Sequence, residues 1–230
     1  MPHEEEHRDI SSGGARAAVF GVSDGLVTNV SLILGFAGAH PSASVVRLAG
    51  IAGLVAGAFS MAAGEYVSMT AQRELYEREL EVERRALAEA PEGETQELIE
   101  IFQRKGLAPE LARRLAHEVM SDPDLALETH AREEIGVDPA RLGSPVAAAV
   151  SSFVAFAIGA FIPLVPWLIG GGTAAVAWSI VLSAVAALTV GAILGSLTGR
   201  GRIRSALRQL AIAAVAAGVT YGVGRAVGAT

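Results

Sequence analysis

The chain has 230 residues, of which 51% are hydrophobic, and its formal net charge is −6. It contains no cysteine, which excludes disulfides and thiolate metal sites. The first twelve residues, MPHEEEHRDISS, are acidic and polar. They lack the basic and then apolar pattern of a cleavable signal peptide, so none is expected.

The first two apolar runs each contain a carboxylate. Val19–Gly38 and Leu48–Met69 are long enough to cross a bilayer, which takes roughly 20 apolar residues, yet they hold Asp24 and Glu65. An ionisable group at membrane depth is costly, and it usually faces a polar pathway rather than lipid. These two acids point to cation translocation.

The second half of the chain adds three apolar spans. No charged residue occurs from Gly143 to Gly199, and this stretch is too long for one span. Pro163, Pro166 and the glycines at 170–172 predict that it divides into two. A fifth run, Gln209–Gly224, follows. The runs lack the alternation of membrane barrels, so the sequence predicts an all-α polytopic membrane protein with five transmembrane helices.

A hydrophilic block separates spans two and three. Residues 71–143 contain 18 acidic and 10 basic residues, a net charge of −8, against +2 for the rest of the chain. Strong helix formers at 72–88 predict that span two continues into this block without a break. Shorter helices are expected near 94–105, 109–121 and 125–135. The predicted domains are 1–70 (tail and spans one and two), 71–143 (acidic helical domain) and 144–230 (spans three to five).

The short loops predict the orientation. The connection between spans four and five holds Arg200, Arg202 and Arg204, whereas the connection between spans three and four holds no charge. The positive-inside rule places the arginine-rich loop in the cytoplasm. With five spans, the N-terminus and the acidic domain are then cytoplasmic as well, and the C-terminus lies outside.

Ligand-bearing side chains recur at helical spacing in the first two spans. The first set is Asp24, Thr28 and Ser31, and the second is Met61, Glu65 and Met69. If these two faces meet, oxygen and sulfur ligands converge, a combination that suits Fe²⁺ better than Mg²⁺ or Ca²⁺. The alternatives are that the methionines fill the core or face lipid, that Asp24 and Glu65 form a buried hydrogen-bonded pair, and that Glu65 lies at the membrane interface.

The acidic domain carries a second group of candidate ligands. Glu94 and Glu97 lie three residues apart, and His130 and Glu134 lie four apart, so each pair shares a helical face. The alternative reading is a solvated, glutamate-rich surface with arginine partners. There is no Gly-rich phosphate loop, so neither a nucleotide nor a nucleic acid is an expected partner.

Three segments resemble the vacuolar iron transporter family: GVSDGLVTNVSLILG at Gly21–Gly35, SMAAGEYVSMTAQRE at Ser60–Glu74, and the ending Gly201–Gly228. The resemblance covers nearly the whole chain. It implies a five-span homodimer that exports Fe²⁺, often also Mn²⁺, from the cytosol in exchange for protons.

The resemblance also implies roles for particular residues. The transmembrane acid of the family falls on Asp24, and its span-two methionine and glutamate fall on Met61 and Glu65. Its cytoplasmic metal ligands fall on Glu83, Glu94, Glu97, His130 and Glu134. Here His130 replaces a methionine, and Ala86 stands where Glu83 would have a partner. Glu79 or Glu81 is a candidate substitute for that partner, so the number of metals held stays open.

Other functions remain compatible with the residues. A membrane-tethered di-iron ferroxidase or storage protein would use carboxylate-rich helices, although the acidic domain lacks the Glu-x-x-His motif of that chemistry. A metal sensor would bind metal and move none. The same ligands also bind Co²⁺ and Zn²⁺. An arginine-rich composition with one lysine favours a bacterial source, hence the plasma membrane; in a eukaryote the vacuolar membrane is expected.

Overall fold

The computed structural model describes residues 13–136, 138 and 142–228, with side chains from residue 19 onward. The chain divides into two compact units, Met1–Val67 with Pro145–Thr230 and Ser68–Ser144. We call them the membrane unit and the acidic unit. The helices are α1 Gly13–Gly38, α2 Ala43–Glu89, α3 Pro91–Arg104, α4 Pro109–Met120, α5 Pro123–His130, α6 Pro145–Ile169, α7 Gly172–Leu197 and α8 Arg202–Gly228.

The predicted all-α class and the five apolar helices are confirmed. Within the described residues, α1, α2, α6, α7 and α8 are each long and apolar enough to cross a membrane. The helix α2 has 47 residues, about twice the length that a bilayer requires. Its apolar first part belongs to the membrane unit, and the part from Ser68 onward, rich in charges, belongs to the acidic unit.

Glycines bring α1 and α6 into close contact. A Cβ atom at Gly25 would overlap the backbone of Phe156, and one at Gly159 would overlap the backbone of Val22. Without a strong hydrophobic drive between helices in lipid, such small residues allow the van der Waals contact that holds helices together. Leu26 and Ile33 of α1 are fully buried, so α1 is a central helix of this unit.

Two GxxxG motifs of the chain, one on α2 and one on α8, have different surroundings. A side chain at Gly53 or Gly57 of α2 would strike Leu32 or Phe156, whereas nothing lies within 4 Å of the Cβ positions of Gly218 and Gly222 on α8. The first motif is therefore used within the chain. The second leaves an open strip on α8.

The prolines of the charge-free stretch lie elsewhere than predicted. Pro163 and Pro166 are inside α6, and the break between α6 and α7 falls at residues 170–171 alone. A proline within a transmembrane helix is tolerated when neighbouring helices support the backbone. Ser179 of α7 donates a hydrogen bond to the Pro163 carbonyl at 2.7 Å, which joins α7 to this segment of α6.

The acidic unit has its own apolar core between α3 and α4. Its buried members are Leu98, Ile99, Ile101, Phe102, Ala112, Ala116 and Val119. The helix α3 begins three residues earlier than predicted because Pro91 occupies its first turn, where a missing N–H costs nothing. Asp122 caps α5 by accepting from the backbone N–H groups of Asp124 and Leu125. The predicted last helix is divided into α5 and a π-helical turn, Ala131–Ile135.

Candidate metal site

Three helices of the acidic unit each contribute one ligand to a compact cluster. Glu83 comes from α2, Glu94 from α3 and His130 from the end of α5, and one ligand atom of each lies within 4.8 Å of the other two. Glu83 and His130 are buried, and Glu94 is partly buried. We call these three residues the metal cluster.

Local breaks in the helices place the ligands. The Ala90–Pro91 junction separates α2 from α3, because a residue before proline is disfavoured in the helical conformation. The π-helical turn begins directly after His130 and ends at Gly136, whose φ of 74° only glycine adopts without strain. This turn holds Glu134 beside the cluster, with its Oε2 at 4.0 Å from His130 Nδ1.

The distances within the cluster suit a shared cation. His130 Nδ1 lies 3.1 Å from Glu83 Oε1 and 3.7 Å from Glu94 Oε2. With metal–ligand bonds of about 2.1 Å, neighbouring ligand atoms lie roughly 3.0–3.4 Å apart. Nδ1 and Nε2 of His130 and Oε1 of Glu83 are buried and form no hydrogen bond. Buried polar atoms without partners are costly, and a bound cation would satisfy Nδ1 and Oε1.

Electrostatic repulsion among the carboxylates acts on the same residues. The pKa of Glu83 is raised to about 7. Burial is the largest cause, and the negative charges of Glu134, Glu94 and Glu97 add to the increase. Burial likewise raises the pKa of Glu134, with Glu97 adding to the effect and His130 opposing it. A divalent cation would relieve this repulsion and favour the ionised forms.

Glu97 is exposed, yet its charge raises the pKa of both Glu83 and Glu134.

The other candidate ligands near Glu83, Glu81 and Glu79, are arranged differently. Glu81 is paired with Arg84 at 2.9 Å and with Arg85 at 3.2 Å, and the hydrogen bond from Arg84 is the largest cause of its lowered pKa. Glu79 is half-buried and is not a member of the metal cluster. A role for either in metal binding stays a prediction.

The membrane unit places its two predicted ligand sets among different neighbours. Asp24 and Thr28 are exposed on α1, and the Thr28 hydroxyl donates to Asp24 Oδ1 at 3.3 Å. Met61 is half-buried and packs against the cluster that contains Phe156. Glu65 is also half-buried. The joint binding of a cation by Asp24 and Met61 stays a prediction.

Met69 belongs to the acidic unit, where its Cε atom lies next to Gly143. It shares a helical face of α2 with Met61 and Glu65 in sequence, but the division between the two units falls at Val67 and Ser68. The contacts within each unit do not test whether Met69 lines a transport pathway, and this role stays a prediction.

Several polar contacts of the membrane unit had no signal in the sequence. Asn29 is fully buried and donates from Nδ2 to the Ala160 carbonyl at 2.6 Å. Gln209 of α8 donates to the Ser23 hydroxyl of α1. Neutral polar residues in an apolar run are individually unremarkable, and only the packing of the helices shows which of them meet.

The apolar helices, the acid on α1 and the buried cluster of candidate cation ligands are typical of a membrane protein that handles cations. The sequence profile of the VIT family matches residues 15–225. Vacuolar iron transporter 1 of Eucalyptus grandis is 31% identical over 98% of this chain and 90% of its own length. The vacuolar iron transporter of Acanthamoeba castellanii is 35% identical over 96% of this chain and 82% of its own length.

The chain belongs to the VIT family. The predicted resemblance is thereby confirmed, and membership places the chain among multi-pass membrane transporters rather than enzymes.

Proposed function

We propose that this chain exports Fe²⁺, and with it Mn²⁺, from the cytosol in exchange for protons. The relatives from Eucalyptus grandis and Arabidopsis thaliana are named vacuolar iron transporters, which supports iron as the substrate. Carboxylate and imidazole ligands suit Fe²⁺ and Mn²⁺, and they bind Co²⁺ and Zn²⁺ as well. Within this proposal the acidic unit captures the ion and Asp24 carries it across the membrane.

The observation that carries the proposal is the metal cluster. Glu83 and His130 are 8% and 0% exposed, and ionisable side chains are rarely buried this deeply unless they are paired or bind a cation. Their ligand atoms are 3.1 Å apart without a hydrogen bond between them. This arrangement is costly for the empty protein and favourable once a divalent ion is bound.

Proton coupling follows from the chemistry of these ligands. A carboxylate binds a metal ion only when it is deprotonated, so metal binding releases protons and protonation releases metal. The pKa of Glu83 near 7 means that modest changes of pH around neutrality alter its protonation. Asp24 would perform the corresponding exchange at membrane depth.

A homodimer would explain the exposure of Asp24. On the single chain, Asp24 and Thr28 face outward, and an ionisable residue facing lipid is strongly disfavoured. A second copy placed against this face of α1 would convert it into an enclosed polar pathway. The open strip at Gly218 and Gly222 on α8 is a second surface that permits close helix approach.

The proposed orientation puts the acidic unit in the cytosol. Arg200, Arg202 and Arg204 follow α7 and begin α8, and the positive-inside rule assigns such a loop to the cytosolic face. Two spans, α6 and α7, separate this loop from the connection between α2 and α6. Because this number is even, both connections lie on the same side of the membrane. The acidic unit then has direct access to cytosolic metal.

Transport into proteoliposomes tests the proposal. Fe²⁺ uptake is measured under anaerobic conditions with and without an inward-acidic pH gradient, and the lumenal pH is recorded at the same time. We expect uptake that depends on the gradient and raises the lumenal pH. Substituting Asp24→Asn should reduce uptake to the level of empty liposomes, whereas Glu77→Gln, which removes a surface ion pair with Arg73, should leave it unchanged. Uptake by the Asp24→Asn variant at the wild-type rate would contradict the proposed pathway.

A further inference from the structure

Arg208 on α8 lies at the same depth as Asp24 on α1. The two helices run parallel, because their contacts advance in the same direction: Ser23 meets Gln209, and further along Gly35 meets Thr220. Asp24 follows Ser23 by one residue and Arg208 precedes Gln209 by one residue. With a rise of 1.5 Å per residue, each lies only about 1.5 Å from the level of the Ser23–Gln209 hydrogen bond.

Both side chains project from the same side of the helix pair. Ser23 faces α8 and Gln209 faces α1, since they are hydrogen-bonded to each other. In two parallel right-handed helices, one step forward on the first and one step backward on the second rotate toward the same side, by about 100° each. Asp24 and Arg208 are both exposed, as this geometry requires. The same rotation directs Leu207, which is also exposed, away from α1.

The charges make these two residues natural partners. The described part of the membrane unit contains only two carboxylates, Asp24 and Glu65. In this structure no ion pair within 4.0 Å joins Arg208 to a carboxylate among the described residues, Asp24 included, so pairing with Asp24 requires a change of side-chain conformation. Packed helix axes are about 8–10 Å apart, a gap that the long side chain of arginine bridges. An arginine is always protonated, so it is a permanent cation beside the acid of the transport pathway.

We propose that Arg208 is the counter-cation of Asp24 in the substrate-free protein and that the transported divalent ion displaces it. Arg208 is then a positioning residue: it keeps the empty carboxylate from standing alone at membrane depth. It also competes with the metal, which prevents binding too tight for release. This inference rests on the proposed function in that Asp24 carries the transported ion.

Transport kinetics separate this role from a structural one. Initial rates of Mn²⁺ uptake are measured in proteoliposomes at fixed pH, over a range of Mn²⁺ concentrations, for Arg208→Gln, Arg208→Lys and the control Arg225→Gln. Arg225 is exposed on the last turn of α8. We expect Arg208→Gln to lower KM by about tenfold, equivalent to a competing interaction of roughly 1.4 kcal/mol, and to lower kcat. Arg208→Lys should keep KM within about twofold of wild type, and Arg225→Gln should change neither constant.

A structural defect would instead lower kcat without improving KM, and Arg208→Lys would not restore the wild-type behaviour. An unchanged or increased KM in Arg208→Gln, while the wild-type protein transports Mn²⁺, would overturn the inference and leave the proposed function intact. Absence of transport by the wild-type protein would overturn the proposed function itself.

Cross-linking tests the geometry independently of transport. Because the chain has no cysteine, the pair Asp24→Cys with Arg208→Cys can be joined by a bifunctional thiol reagent of about 8–10 Å, the expected helix separation. The matched control pairs Asp24→Cys with Leu207→Cys. After proteolysis within the acidic unit, a cross-link keeps the two fragments together on a denaturing gel. We expect efficient linkage for Arg208 and little for Leu207; equal or greater linkage at Leu207 would overturn the shared face.

Discussion

The membrane unit and the acidic unit bury different kinds of polar residue. The buried polar residues of the membrane unit are neutral, and three of them, Asn29, Ser179 and Gln209, donate hydrogen bonds between helices. The acidic unit buries Glu83 and His130, both ionisable, with atoms that lack hydrogen bonds.

The difference shows which polar side chains destabilise each unit. Neutral side chains in the membrane unit support helix packing, and the ionisable Asp24 is left on the surface of the single chain. In the acidic unit the cost of burying charge is concentrated in one cluster, where a divalent cation can offset it. The membrane unit is stabilised by helix packing, whereas the acidic unit contains a site whose carboxylates repel one another. Substitution, pH and metal should therefore affect the two units differently.

The largest expected effect is the loss of metal binding on removing one ligand of the cluster. Glu83→Gln removes a charge, and His130→Ala removes the ligand that lies between the carboxylates. Each should weaken binding of Mn²⁺ or Co²⁺ to the purified full chain by at least about 10–100-fold, the range for disturbing even the supporting residues of a metal site. Isothermal titration calorimetry measures this, with Glu77→Gln, which removes only a surface ion pair with Arg73, as the control that keeps wild-type affinity. A wild-type affinity in both Glu83→Gln and His130→Ala would place the metal elsewhere.

The second expectation concerns pH and the stability of the metal-free acidic unit. The pKa of Glu83 is raised from 4.5 to about 7 in the folded chain, so the folded state binds more protons than the unfolded state between these values. The contribution of Glu83 to stability should therefore be fully present below pH 4.5 and be lost as the pH rises through 7, by up to about 3 kcal/mol. The raised pKa of Glu134 acts in the same direction.

Hydrogen exchange of peptides from α3 and α5 at pH 5 and pH 7.5, corrected for the intrinsic exchange rate, measures this dependence. Saturating metal should reverse it, because the cation stabilises the ionised carboxylates. Glu83→Gln, which cannot ionise, should show a weaker dependence than wild type. An increase in protection of the metal-free chain from pH 5 to pH 7.5 would contradict the expected decrease in stability.

The third expectation concerns the packing of the membrane unit. Gly57→Leu would force a side chain against the Phe156 ring, and overpacking costs typically 1–3 kcal/mol. At Gly218 a Cβ atom has no neighbour within 4 Å, so Gly218→Leu should leave the stability of the detergent-solubilised chain unchanged. Thermal unfolding followed through the two tryptophans gives the comparison. If Gly218→Leu alters only the oligomeric state, the open strip of α8 is part of the proposed dimer interface.

The smallest effect should come from a single hydrogen bond between helices. Ser179→Ala removes the donor to the Pro163 carbonyl, and such bonds contribute on average about 0.6 kcal/mol in membranes. The same thermal unfolding measurement should show a decrease of this order, with Ser196→Ala as the control because Ser196 bonds only within its own helix. A loss of several kcal/mol would mean that the proline segment of α6 depends on this contact.

The apolar pattern was sufficient to predict the five long helices, because the need for internal backbone hydrogen bonds in lipid leaves a long apolar run few other structures. The continuation of α2 into the charged block was predictable from its helix formers. The prolines of α6 were misplaced at the helix break, because a local rule cannot include the support that α7 supplies. The starts of α3 and α5 also differed from the prediction, because prolines in the first turn and capping by Asp122 shift these boundaries.

The amino-acid sequence by itself determined the class of the protein, its membrane helices and the candidate ligands Asp24, Glu94 and His130, since these depend on composition, periodicity and local motifs. Glu83 became a candidate through the resemblance to the family. Only the tertiary structure decided that Glu83, Glu94 and His130, which lie on three different helices, meet. It also decided that Ser23 meets Gln209 and thereby brings Arg208 to the level of Asp24. Contacts between residues far apart in the chain depend on how helices cross and rotate, and these properties follow from the packing of whole surfaces rather than from any single segment.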